Sequence, residues 1–210
     1  MIPSKKRDSR RIEITKAAIK DGMLSLLKKG PFQNISVANL CREAGVGRAT
    51  FYTHYTGLMD VIDELADEAI HAASEDSIDS VTAIDMLNEK IKNMGNATEL
   101  EAYITLLPLC QRVAHSSHYN VLFHDNDISE YIIMCIYRQE RKRTIPVLVK
   151  QLGVTEAQAD KLFLFGVMGA FAVNRAMGWK KDEEWYNMQK LLLTYAHGGY
   201  NAVEALQNRS

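Results

Sequence analysis

Residues 36–55 read SVANLCREAGVGRATFYTHY, and they hold the side chains best suited to gripping a polyanion. Arg48 carries a planar fork of donors that fits a phosphate or the edge of a guanine. Ser36, Thr50, Tyr52 and Thr53 add hydroxyls and His54 adds ring nitrogens, all short enough to meet phosphate oxygens or base edges from one small surface. Gly47, at the expected start of a short helix, lets a nucleic-acid strand approach the backbone, where the first amides of a helix favour phosphate. This is binding chemistry. The motifs of catalysis are missing from the chain: it has no HExxH, glycine-rich phosphate loop, nucleophile elbow or CxxC. The other cluster of chemical interest is His115, His118 and His124 with Cys110 and Asp125. Metal ligands need a fixed geometry around the ion, and this segment reads as a loop. Surface histidines are therefore expected there, with no metal and no cofactor.

Local signals position these residues on helices. Ser36 is a good N-cap for a short helix through Glu43, Gly45 breaks it, and a second short helix is expected from Gly47 to Tyr55. Val37, Leu40, Ala44, Val46 and Phe51 are the apolar positions that would bind this pair to a preceding helix over 10–29. That helix carries Ile14, Ala17, Ala18, Leu24, Leu26 and Leu27 at helical spacing and is stopped by Gly30-Pro31. The plan is a helix-turn-helix, whose second helix enters the major groove of DNA.

The same periodicity continues to the C-terminus. Helices are expected over 58–74, 81–94 and 98–115, the last kinked by Pro108. Another follows over 127–152, opened by a capping box at Asp127 and Glu130 and interrupted or bent by Pro146. The last two are expected over 155–177 and 182–206, with a polar loop over 74–80. No alternating strand pattern competes, so the fold class is all-α.

The formal net charge of −1 hides an asymmetry: residues 1–60 hold 11 Lys/Arg against 5 Asp/Glu, while the remainder is net acidic. A basic first quarter, with Lys5, Lys6, Arg7, Arg10 and Arg11 in a terminal arm, fits a polyanionic partner. A hydrophobic fraction of 47% over 210 residues excludes a disordered chain. Three cysteines, an odd number without CxxC spacing, favour a reducing compartment over a disulfide scaffold. The polar, basic start has no apolar segment behind it, and no run reaches the ~18 apolar residues of a membrane span. A cytoplasmic protein with no membrane association is expected.

Residues 10–62 resemble the DNA-binding domain of the TetR family of transcriptional regulators. The resemblance rests on Ile14 and Ala17-Ala18, then Gly30 and Phe32 before Ser36-Val37, then Leu40, Ala44-Gly45-Val46, Thr50-Phe51-Tyr52, His54-Tyr55 and Leu58. Beyond residue 77 only the number and length of the helices are similar. The resemblance implies an N-terminal three-helix DNA-binding unit, here 1–57, and a helical ligand-binding and dimerisation domain, here 58–210. It implies DNA contacts at Ser36, from Gly47 to Tyr52 and at His54, with one ring of Phe51-Tyr52 packed inside and the other meeting the DNA backbone. Two positions depart from the family: Gly47 stands where Ser or Thr is usual, and Leu58 where Lys is usual.

The C-terminal helices supply the remaining expectations. From Leu162 to Val173 every residue is apolar or glycine, so that helix needs cover nearly all round. Together with the last helix, where Trp185, Met188, Leu191, Leu192 and Tyr195 share a face, it could form half of a two-fold four-helix bundle. The resemblance implies a homodimer made in that way, through the last two helices. A ligand cavity is expected between helices, with Tyr103, Leu107, Cys110, Met134, Phe163, Phe165, Met168 and Phe171 as walls, together with the two tryptophans. The expected function is that of a repressor, not an enzyme. It would bind a palindromic double-stranded operator as a dimer and be released by a small apolar or aromatic effector. A helical enzyme or an RNA-binding protein is the alternative.

Overall fold

In the computed structural model of the chain, residues 4–74 and 78–208 are described, with side chains from residue 9 onward. The side chains of Lys5, Lys6 and Arg7 and the middle of the expected 74–80 loop lie outside the described residues. The architecture is an all-α, multi-helix bundle with no strand among those residues. Ten α-helices follow one another: α1 Ser4–Lys29, α2 Val37–Ala44, α3 Arg48–Tyr52, α4 Leu58–Ser74, α5 Ser80–Ile91, α6 Leu109–His115, α7 Val121–His124, α8 Asn126–Leu152, α9 Glu156–Ala176 and α10 Glu183–Gln207.

Several expected boundaries moved; α3 ends at Tyr52, short of Tyr55, and α5 ends at Ile91, short of residue 94. The 98–115 helix is two elements: 3-10 turns over Ala97–Leu106, and α6, which begins after Pro108. The residue before a proline is pushed out of the helical region. Leu107 is accordingly extended (φ −64°, ψ 152°), so the chain breaks where a kink was expected and restarts with Pro108 as the cap of α6. Asp125, not Asp127, caps α8: its side chain accepts from the amides of Asp127 (2.8 Å) and Ile128 (3.2 Å). Pro146 neither splits nor ends α8, which continues to Leu152. Pro146 and Lys142, four residues earlier, are both exposed, so the carbonyl deprived of its donor faces water. At the start of the chain the helix reaches back to Ser4, taking in residues expected to form an arm.

Three apolar clusters hold the bundle. The largest joins Ile19, Met23, Leu40, Phe51 and Tyr55 to Val61, Ile62 and Leu65 of α4, and runs on through α6, α7 and the first half of α8 to Trp179. It is continuous across residue 57. A second gathers Val81, the C-terminal half of α8, Ala159 and Phe163. The third links α5, the 97–107 segment and α10 through Leu87, Leu100, Trp185 and Leu193. A buried polar chain crosses between them. The Asn174 side-chain oxygen accepts from Trp185 Nε1 (2.7 Å) and Gln189 Nε2 (3.1 Å), and Gln189 accepts in turn from Gln111. Such a network fixes the register of α6, α9 and α10, because a slip would leave buried polar groups unpaired.

Several helices carry apolar side chains on an uncovered face. On α9, Phe165 is 67% exposed and Gly166, Gly169 and Ala172 are exposed beside it, so Phe165 points outward and not into a cavity. On α10 the face expected from the sequence divides: Trp185 is buried, while Leu191 (64%) and Tyr195 (72%) face out. On α1, Ile14 is exposed, and the helix buries Ile19, Met23, Leu24 and Leu27 instead. No helix among the described residues is long and apolar enough to cross a membrane.

Candidate nucleic-acid interface

The α2–turn–α3 segment is built by local chemistry. Ser36 Oγ accepts from the Asn39 amide (3.2 Å), closing the open N-terminus of α2. Gly45 takes the left-handed conformation (φ 66°) that ends α2 and turns the chain, with Val46 N–H returning to the Cys41 carbonyl (3.0 Å). A side chain at that φ would be strained. Gly47 caps α3 in an extended conformation with no side-chain bond, and a Cβ there would meet only Thr50 Oγ1, at 3.8 Å. Space does not require glycine at 47.

The side chains of α3 divide cleanly. Phe51 is fully buried, with its ring against Tyr55 (centroids 5.7 Å) and edge-on to Tyr52 (5.3 Å). Tyr52 itself is 58% exposed. Arg48 and Thr50 stand exposed on the same short helix, and Arg48 has no ion-pair partner among the described residues. Ser36 is exposed but uses one lone pair as the α2 cap, and Thr53, just beyond α3, donates its hydroxyl proton to the Thr50 carbonyl (2.6 Å). His54 is half-buried. Gly47, Arg48, Thr50 and Tyr52 are thus gathered on one helical turn, with Thr53 and His54 following it and Ser36 at the start of α2.

The segment is tied down by contacts that local sequence patterns do not reveal. Glu64 on α4 accepts from Lys16 (2.8 Å) and Lys20 (3.1 Å) on α1 and from the Tyr55 hydroxyl (2.8 Å); Lys20 also pairs with Glu68. Burial pushes the Glu64 carboxyl up, but the bonds from Lys16, Tyr55 and Lys20 outweigh it and hold it down to about 2. The signal for this strap is present but weak: Lys16/Lys20 and Glu64/Glu68 are two i, i+4 pairs of opposite sign on different helices. Asp125, the α8 cap, also accepts from the Phe32 amide (2.6 Å), which joins α8 directly to the turn before α2. Asp60 binds the amide and hydroxyl of Thr56 (2.6 Å each) at the start of α4. Gly22 lets α1 and α2 approach: a Cβ there would lie 3.2 Å from Ala44 Cβ.

The residues expected to line a ligand cavity fall in all three apolar clusters. Cys110, Met168 and Phe171 belong to the largest apolar cluster, Met134 and Phe163 to the second, and Tyr103 and Leu107 to the third. Burial pushes the Cys110 thiol up to about 12, which leaves it a neutral apolar packing group. Of the histidine cluster, His118 lies 3.9 Å from Asp21, His115 meets Lys181, and Asp125 is engaged as the cap. No group of three or more His, Cys, Asp or Glu among the described residues could hold a metal ion. Compared with known proteins, the chain matches no family model, no curated protein and no solved structure.

Proposed function

We propose that the chain is a TetR-like transcriptional repressor: a DNA-binding protein, not an enzyme, that reads a palindromic operator as a homodimer and is released by a small-molecule effector. Residues 1–57 would act as the reader and residues 58–210 as the sensing and dimerising body, in the cytoplasm. The observation that carries the reading is the exposure of Arg48, Thr50 and Tyr52 on α3, a helix anchored by the fully buried Phe51. A helix of that length presented by a rigid hairpin can enter a major groove, with Arg48 on a base edge and the hydroxyls on phosphates.

Dimerisation is favoured by the uncovered apolar stripes of α9 and α10, around Phe165, Leu191 and Tyr195. Solvent-facing side chains of this size on two neighbouring helices fit a second copy of the same surface. The dimer would set two α3 helices about 34–36 Å apart, one helical turn of DNA.

The test is selection of duplexes from a random pool by the full-length chain, followed by titration of the selected duplex and a scrambled one at fixed salt. A palindromic consensus bound by two chains is expected. Recovery of no consensus, or equal binding of both duplexes, would overturn the reading. Sedimentation equilibrium of the chain and of a Phe165→Glu/Tyr195→Glu variant reads the dimer independently.

A further inference from the structure

An open cleft lies at the edge of the largest apolar cluster, with Ile70 and Cys135 at its base. It is a cleft of about 600 Å³ between α4 and α8, lined by Asp67 and His71 on one wall and by Cys135, Arg138, Arg141 and Lys142 on the other. We infer that this cleft binds a small organic anion, one bearing a carboxylate or phosphate together with a hydroxyl or amino group, and that this anion is the effector of the repressor. The effector role rests on the function proposed above; the binding site does not.

The charges of the α8 wall carry the inference. Arg138, Arg141 and Lys142 stand at i, i+3 and i+4, so three cations share one helical face and repel one another. Arg141 is partly neutralised by Asp160, with its guanidinium 3.0 Å from a carboxylate oxygen. Arg138 and Lys142 have no ion-pair partner among the described residues. Arg138 is held from the side, its guanidinium 5.9 Å from the centre of the Tyr131 ring, and the Tyr131 hydroxyl is bonded to Asp63 on α4. This contact orients the guanidinium beside the ring, and its fork of donors fits an oxyanion. Asp67, on the facing wall, makes no ion pair with these cations, so it remains an acceptor for a hydroxyl or ammonium on the same ligand. A volume of about 600 Å³ lies within the range of small-molecule sites.

The location gives the anion a route to α3. α4 begins six residues after α3 ends, and the cap of α8 accepts the Phe32 amide just before α2. A ligand bridging Arg138 and Lys142 to Asp67 would alter the α4–α8 spacing, and therefore both supports of the α2–α3 pair. This ligand is polar, in contrast to the apolar or aromatic effector expected from the sequence.

The test uses the full-length chain at constant ionic strength, with citrate as the carboxylate probe, glucose 6-phosphate as the phosphate probe and glucose as the neutral control. Calorimetry should show binding of at least one anion and none of glucose. The Arg138→Gln/Lys142→Gln variant should weaken it at least tenfold, while Lys28→Gln, a cation away from the cleft, should not. Cys135 is the one thiol of the three that is not buried, so iodoacetamide reads the cleft directly, and bound anion should slow its alkylation. Binding of neither anion, equal affinity in the double variant, an equal loss with Lys28→Gln, or unchanged alkylation with anion bound would each overturn the site. The regulatory half is read by operator titration with and without the bound anion, where a shift of about tenfold or more is expected. Unchanged operator affinity would overturn the effector role alone. Failure to bind any operator would refute the proposed function and leave the anion site standing.

Discussion

Replacing Glu64 by Gln removes the charge at the centre of the strap between α1, Tyr55 and α4. In the folded chain this carboxyl titrates at about 2, against an ordinary value of 4.5. At about 1.36 kcal/mol per pH unit that gap corresponds to about 3 kcal/mol. The side chain is 28% exposed, and solvent screening brings the expected cost of Glu64→Gln to about 2 kcal/mol at neutral pH. The folded value is depressed, so this contribution is complete above the unfolded value of 4.5 and is lost as pH falls toward about 2. Urea unfolding of wild type and variant, followed by circular dichroism, should therefore show a difference of about 2 kcal/mol at pH 7 that shrinks to about 1 kcal/mol or less at pH 3. An equal difference at both pH values would show that the loss comes from packing and not from charge. A difference below about 0.5 kcal/mol at pH 7 would show that the three donors find water as good a partner as Glu64.

Arg48→Ala should weaken binding of the selected operator by about 1–3 kcal/mol if Arg48 makes a bidentate base contact. It should leave urea unfolding unchanged, because the side chain is exposed and unpaired; unchanged discrimination between selected and scrambled duplexes would remove it from the reading set. Asp125→Ala deletes the α8 cap and the acceptor of the Phe32 amide together, and should cost about 2 kcal/mol in urea unfolding. A cost near zero would mean that the link between α8 and the turn before α2 is not maintained in solution. Gly22→Ala would gain about 1 kcal/mol from helix propensity alone. The Cβ would lie 3.2 Å from Ala44 Cβ and 3.3 Å from the Ala44 amide nitrogen, so a net loss of stability is expected, and a net gain would show that α1 and α2 separate freely. Neutralising Lys5, Lys6 and Arg7 should lower the slope of log K against log salt by at most about 0.9 for each phosphate that these cations neutralise, and an unchanged slope would place them off the DNA.

Much of what depends on residues within about four positions of one another was readable from the sequence, the break before Pro108 and the cap of α8 excepted. Ser36 as a cap, the break at Gly45, the end at Gly153 and the Thr155–Gln158 capping box all behave as their types require, because each satisfies or removes a backbone hydrogen bond inside one turn of helix. The division between Phe51 and Tyr52 also follows, since the wholly apolar ring is the better core residue and the ring with a hydroxyl keeps its polar tip in water. At the start of α8, where the sequence pointed to Asp127, the cap is Asp125, the residue that also accepts the distant Phe32 amide.

The tertiary structure alone decided which apolar faces meet and which do not. Ile14 and Phe165 have the residue types of a core and stand in water, because burial depends on what other elements come close. The aromatic and apolar residues over 103–171 read as one cavity along the chain, and the paths of the 97–107 segment, α6, α8 and α9 distribute them among three adjoining clusters. The Glu64 strap joins residues 48 positions apart, and the cationic face of α8 becomes a cleft only because α4 lies across from it. Local hydrogen-bond rules determine where helices start and stop, whereas packing and charge pairing act through space, between residues whose separation along the chain carries no record of their contact.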